Sequence, residues 1–310
     1  MSTSFIFPGQ GSQAVGMMSD LAEHHSLVKD LFVEASDILG TDLWALSQEG
    51  PIETLSQTEN TQPALLVSGV AAWQVWQSLN GDTPSVMAGH SLGEYTALVA
   101  AGALSFADGV ALVRDRGCYM QEAVPAGEGG MAAIIGLEDE QVKAVCAEVS
   151  ANHKVVLQAV NFNAPGQVVI AGSAAAIELA APAMKAAGAK RALPLPVSIP
   201  AHSSLMSPAS ARLAERIASV EVAMPVIPVL HNCNVQVASS VDDIKANLVS
   251  QLDSPVRWVE SVNMMHADGV NTFIESGPGR VLGGMVKRIV KGVNVACIDK
   301  SDAIKALIAA

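Results

Sequence analysis

Residues 85–100 read S-V-M-A-G-H-S-L-G-E-Y-T-A-L-V-A. A short apolar run stops at Gly89, turns through Gly93 and passes directly into a strong helix former. A chain that moves from strand to helix through so tight a turn builds α/β layers, because the strand must be buried and the helix must pack back over it. Ser91 stands in the middle of this turn with the spacing G-x-S-x-G. Bulky neighbours would clash in such a bend, and the serine hydroxyl is left exposed at a helix N-terminus, where the dipole favours developing negative charge.

The chain begins with another glycine turn, F-I-F-P-G-Q-G-S-Q-A-V-G, after a first apolar run that ends at Pro8. Gly9, Gly11 and Ala14 satisfy the spacing G-x-G-x-x-G/A of a dinucleotide-binding turn. That fold also needs an acidic residue about 20 positions on, ending a second strand. Asp30 and Glu34 fall near there, but inside L-V-K-D-L-F-V-E-A-S-D-I-L, which has helical periodicity. The dinucleotide reading is therefore set aside. Acyl chemistry at Ser91 needs two backbone N–H donors for a tetrahedral oxyanion. One comes from the residue after the serine, Leu92. The other comes from a separate glycine-rich turn, for which Gln10 between Gly9 and Gly11 is the candidate.

A serine at neutral pH also needs a base. His90 adjoins Ser91 and is read as structural. His153, His202, His231 and His266 follow the serine; His202 lies in I-P-A-H-S-S-L-M, a loop before a helix from which a base can reach the turn. The third member of a hydrolase triad is an acid on a loop between serine and histidine. Asp108 and Asp139 sit at helix starts, and Glu138, Glu140, Glu148 and Glu178 lie on or beside solvated helices, so no acid stands out. A Ser–His pair with a neutral orienter is expected, and an ordinary esterase or thioesterase is the rival.

Spacing along the rest of the chain predicts helices over Met17–Leu39 and Thr61–Leu79, with Pro63 in the first turn of the second, and a helix capped by Asp108. From Pro125 to Gly130 the composition becomes linker-like. Beyond it strands and helices follow in the order βαββαβ, a ferredoxin-like split unit that ends at Val197. The expected architecture is an α/β-hydrolase-like domain over 1–125 and 198–310, with an inserted ferredoxin-like subdomain over 126–197. Lys and Arg number 18 against 30 Asp and Glu, a net charge of −12, and aromatic residues are 4% of the chain, which argues against nucleic acid as a partner. Four scattered cysteines without metal-ligand spacing read as free thiols. No basic leader and no apolar run of membrane-spanning length is seen, so a cytoplasmic protein with no metal and no membrane association is expected.

F-P-G-Q-G-S-Q, T-Q-P-A-L, G-H-S-L-G-E-Y, N-F-N-A-P-G-Q-V-V-I-A-G and E-S-G-P-G occur in this order along the chain. Together they resemble the malonyl-CoA:acyl carrier protein transacylases of bacterial dissociated fatty acid synthesis. The resemblance implies a malonyl-serine intermediate on Ser91, His202 as general base, and Gln251 as the residue whose carbonyl orients the histidine. It implies Gln10 and Leu92 as the oxyanion donors. It also selects Arg116, which helical spacing alone does not separate from Arg114, as the arginine that holds the malonyl carboxylate. No cofactor is implied, and nothing forces a dimer, so a monomer is expected. Acyl carrier proteins are acidic, as is this chain, so docking needs a local basic patch. Lys185, Lys190 and Arg191 on the insertion, and Lys287, Arg288 and Lys291 near the C-terminal end, are the candidates.

Overall fold

The computed structural model describes residues 2–309. Among the described residues nine strands form two sheets: β1 Ser2–Phe7, β2 Val86–Gly89, β3 Gly129–Ile135, β4 Leu157–Ala164, β5 Gln167–Ser173, β6 Arg191–Pro194, β7 Val229–Leu230, β8 Val270–Glu275 and β9 Asn294–Cys297. The larger sheet has the order β7-β2-β1-β8-β9 and is parallel throughout. Its central strand β1 is nearly continuous in apolar residues at its end, as a strand covered on both faces must be. Phe5 on β1 meets Trp73 and Trp76 edge-on at centroid distances of 4.9 and 5.3 Å. Both tryptophans belong to the helix Thr58–Ser78, whose buried positions run round its whole circumference. A helix apolar on every side belongs inside a large domain, and this one does.

The second sheet has the order β4-β5-β3-β6 and is antiparallel. With the helices Asp139–His153 and Ala174–Ala186 it makes the ferredoxin-like subdomain inserted in the larger α/β domain. It is stitched back to the larger domain through Val256, whose N–H donates to Val160 O at 2.8 Å and whose carbonyl accepts from Phe162 N at 3.0 Å.

Three local expectations need correction. The run Met17–Leu39 is two helices, Ser19–His24 and Ser26–Leu39, because His25 between them is extended. The helix after Gly102 is capped by Ser105, whose Oγ accepts from Asp108 N at 3.0 Å; Asp108 sits in the first turn, where its charge complements the dipole. The helix expected over Thr61–Leu79 begins earlier, at Thr58, so Pro63 lies beyond the first turn. Proline lacks the N–H that would bond the carbonyl four residues back. That carbonyl belongs to Glu59, and Arg114 Nη1 donates to it at 2.9 Å. Arg114 thus repairs the ladder that Pro63 interrupts. The strand β9 and the final helix Ser301–Ile308 have no counterpart in the sequence reading.

Replacing Arg114 by Leu is expected to cost about 1–3 kcal/mol of stability, the penalty for an unsatisfied carbonyl. In a Pro63→Ala background, where an N–H returns, chemical denaturation should show a smaller loss. Equal losses in the two backgrounds would refute the repair.

Candidate active site

The parallel sheet gathers the site at the carboxyl ends of its strands, where open α/β sheets place their ligands. β1 and β2 are neighbours with Phe7 opposite Gly89, so the turn after β1 carries Gln10 to the side of the turn that carries Ser91. β7 lies on the other side of β2, with Leu230 opposite Ala88, and delivers His231 and Asn232. Close packing explains the glycines. A Cβ on Gly93 would stand 1.9 Å from Phe7 O, and one on Gly9 would stand 2.5 Å from His90 O. Ser91 itself has φ 52° and ψ −107°, a strained conformation for any residue with a side chain. Asn232 holds it from below: its Oδ1 accepts from Ser91 N at 2.7 Å and its Nδ2 donates to Gly89 O at 2.6 Å.

Ser91 Oγ lies 2.7 Å from His202 Nε2, and His202 Nδ1 lies 2.7 Å from Gln251 O. A backbone carbonyl only accepts, so Nδ1 carries the proton and Nε2 presents its lone pair to the serine hydroxyl. His202 is buried, and that burial, reinforced by the charge of Arg116, pushes its pKa down to about 3. The imidazole is therefore neutral and able to take a proton at physiological pH.

Arg116 is fully buried behind Ser91. Its Nη2 donates to Ser91 Oγ at 3.2 Å and to Gln251 Oε1 at 2.9 Å, and its Nη1 donates to Gln62 Oε1 at 2.7 Å. The guanidinium stands 5.2 Å from the Tyr95 ring centroid. Its Nε–H has no acceptor among the described residues, and no carboxylate pairs with it there. Burial pushes its pKa down, against the help of Tyr95 and Glu94. A buried cation with neutral partners is a site that gains from an anion.

A cleft of about 710 Å³ opens in front of Ser91 and His202. Gln10 and Gly11 line it on one side, and Met131, Val169 and Leu195 of the subdomain line it on the other. The N–H groups of Gln10 and Leu92 have no acceptor among the described residues; that of Leu92 is an orphan of its helix start. His90 turns its ring toward the subdomain, with Nε2 2.8 Å from Asn163 Oδ1, and also lines the cleft.

The structure thus brings Ser91, His202, Gln251 and Arg116 into one hydrogen-bonded cluster beside Gln10 and Leu92. Lys185, Lys190, Arg191, Lys287, Arg288 and Lys291 are exposed and stand apart from it. Arg288 bonds the side chain of Gln167 and the carbonyl of Pro165, across to the subdomain. Sequence reasoning missed Gln62, Glu94, Asn163 and Asn232. Glu94 had a signal, as the one charge in the apolar helix L-G-E-Y-T-A-L-V-A.

A family model described as acyl transferase domain matches residues 4–304. The malonyl CoA-acyl carrier protein transacylase of Escherichia coli K12 is 52% identical over 303 residues, covering 98% of this chain and 97% of its own. The Bacillus subtilis protein of the same name is 48% identical over 302 residues, covering 97% and 95%. This chain belongs to that transacylase family. Among solved transacylase structures, an acyl carrier protein S-malonyltransferase from Vibrio cholerae superposes with a TM-score of 0.96 at 53% identity, covering 99% of this chain and all of its own. A malonyl-transacylase in complex with a type II polyketide acyl-carrier protein superposes with a TM-score of 0.98 at 49% identity, covering 100% and 99%.

If His202 is the base, formation of an acyl-enzyme should run level from about pH 8 down to about pH 5, because a free histidine's pKa of about 6.5 no longer applies. Rapid-quench rates falling by half near pH 6.5 would contradict this. The same shift makes the folded state refuse a proton that the unfolded chain accepts. Stability is then full above pH 6.5 and is lost progressively as pH falls below it.

Proposed function

We propose that this chain is an [acyl-carrier-protein] S-malonyltransferase. It moves the malonyl group from coenzyme A to the phosphopantetheine thiol of acyl carrier protein, feeding fatty acid synthesis, and works as a cytoplasmic monomer. One observation carries the choice of substrate: a fully buried guanidinium, without an anionic partner among the described residues, lies 3.2 Å from the hydroxyl of a Ser–His pair. A malonyl group esterified to Oγ carries its carboxylate only three bonds further on, within reach of that cation.

In this reading Ser91 Oγ attacks the thioester carbonyl as its proton passes to His202 Nε2. The oxyanion forms between the N–H groups of Gln10 and Leu92. The C–S bond then breaks, the proton returns to the departing thiolate, and coenzyme A leaves a malonyl-serine ester. The carrier thiol gives its proton to His202 and attacks the ester by the same route, and Ser91 recovers the proton. One thioester replaces another, so nothing is oxidised, reduced or consumed. Gln251 O holds the histidine tautomer throughout, and Arg116 takes the carboxylate.

Intact mass after mixing with malonyl-CoA should show one added malonyl group on the wild type and none on Ser91→Ala. Arg116→Ala should slow malonylation by roughly a hundredfold more than acetylation from acetyl-CoA, the scale of a lost charge-assisted pair. An unmodified wild type would overturn the transferase reading; equal losses for the two acyl groups would overturn the role of Arg116.

The carrier protein docks, on this reading, against Lys185, Lys190 and Arg191 together with Lys287, Arg288 and Lys291. These groups flank the subdomain side of the molecule and offer positive charge on a chain of net −12. Charge reversal at Lys185 and Lys190 should slow transfer to carrier protein and spare transfer to free pantetheine. Identical rates with the two acceptors would remove the patch.

A further inference from the structure

Gln251 serves the site with three atoms. Its backbone carbonyl accepts from His202, its Oε1 accepts from Arg116 Nη2, and its Nε2 donates to Ser91 O at 2.9 Å. A side-chain amide has one accepting end and one donating end. Rotated half a turn, it would set its own N–H groups against the guanidinium, donor facing donor. The direction of the amide therefore decides whether Arg116 is held in place beside Ser91.

That direction is fixed by what Nε2 faces. Ser91 O already accepts from Glu94 N at 3.1 Å, so it is a shared partner. The second partner of Nε2 is the Glu94 carboxylate, with Oε2 at 2.9 Å. A carboxylate offers acceptors only, and bonds to it are charge-assisted. Glu94 has no exposed surface and is itself fixed: Oε1 lies 2.7 Å from His231 Nδ1, and Oε2 also accepts from Asn232 N at 2.9 Å. Burying a carboxylate in an apolar helix is costly, and no step of the transfer reaction uses this one.

We infer that Glu94 is a positioning residue for malonyl selectivity: by holding Gln251 Nε2 it keeps Gln251 Oε1 on Arg116, and so aims the guanidinium at the substrate carboxylate. The inference rests on the malonyl-transfer reading above. The second arm of Glu94, through Asn232 to Ser91 N, supports the turn itself and so serves any acyl group. The Gln251 arm serves only an acyl group that carries a negative charge.

The test is the ratio of acyl-enzyme formation from malonyl-CoA to that from acetyl-CoA, measured on one preparation so that the folded fraction cancels. Glu94→Met removes the acceptor at similar size and should cut the ratio by about tenfold or more, the scale of a hydrogen bond to a charged group. Glu94→Gln retains an oxygen for Gln251 Nε2, while the second His231 tautomer can accept from the new amide, and should restore most of the ratio. Gln251→Met keeps the backbone carbonyl for His202 and should lower the ratio as Glu94→Met does. The double variant should lower it no further, as expected for two residues acting as one unit. If Glu94→Met does not fold, Glu94→Leu, which removes the same acceptor, is measured in its place with the same two outcomes. A wild-type ratio in either Met variant overturns the inference, as does a Glu94→Gln enzyme as impaired as Glu94→Met. A wild type that takes up no malonyl group instead overturns the transferase reading and is seen before any variant is made.

Discussion

A guanidinium without exposed surface has to be surrounded by oxygen, and much of the site follows from how this chain does so. Arg116 draws on Gln62 from the central helix, Gln251 from the end of the helix Val241–Ser250, and Ser91 from the turn after β2. Three segments far apart in sequence are tied to one planar cation. All three acceptors are neutral. Full pairing with a carboxylate would have stabilised the resting protein better, but would have left the cation nothing to gain from a substrate anion. The protein carries the cost of an imperfectly paired charge, and in the proposed reading the oxygen it lacks is what a charged acyl group would bring.

The sheet supplies the rest. Three adjacent parallel strands end at the same edge, and their next few residues are forced together. Phe7 opposite Gly89 puts Gln10 beside Ser91, and Leu230 opposite Ala88 puts Asn232 beneath it. The interlocked glycines allow the approach, so the strained Ser91 backbone is clamped by neighbours instead of relaxing. The cleft is completed from the other side by the subdomain, which presents Met131 from β3, Val169 from β5 and Leu195 just after β6.

Much of this was legible in the sequence. Ser91 and the turn at Gln10 could be argued from glycine spacing, and the βαββαβ order from the alternation of apolar runs beyond the linker-like stretch Pro125–Gly130. His202 was a candidate from its loop position and was singled out as the base by the family resemblance, which alone supplied Gln251 and the choice of Arg116, because a side chain's reach across the fold leaves no periodic trace. Arg114 and Arg116 are equally plausible on a helix surface. The fold separates them: one bonds the carbonyl orphaned by Pro63, and the other points behind Ser91. Glu94, Asn232 and Gln62 went unseen for a related reason. Their work is to hold other polar groups, and a buried partner is defined by the pairing of distant segments, not by its neighbours in the chain. Strand β9 is short and lies at a sheet edge, where four residues, N-V-A-C, carry too little pattern to stand out.

The neutral orienter of His202 follows from the same charge logic. An aspartate in the place of Gln251 O would stabilise an imidazolium, but it would add a negative charge to a cluster in which Arg116 Nη2 lies 3.2 Å from Ser91 Oγ and that Oγ lies 2.7 Å from His202 Nε2. A full negative charge there would attract the guanidinium and, in the proposed reading, compete with the carboxylate of a malonyl group. A backbone carbonyl fixes the histidine tautomer without that competition. An overall exchange of one thioester for another, between groups of similar energy, can spare the extra stabilisation of the imidazolium. The acidic residue is not lost from the site. It stands one hydrogen bond further back, at Glu94, from where, in the positioning role proposed for it, it would act on the cation through the Gln251 amide and leave the face toward the substrate open.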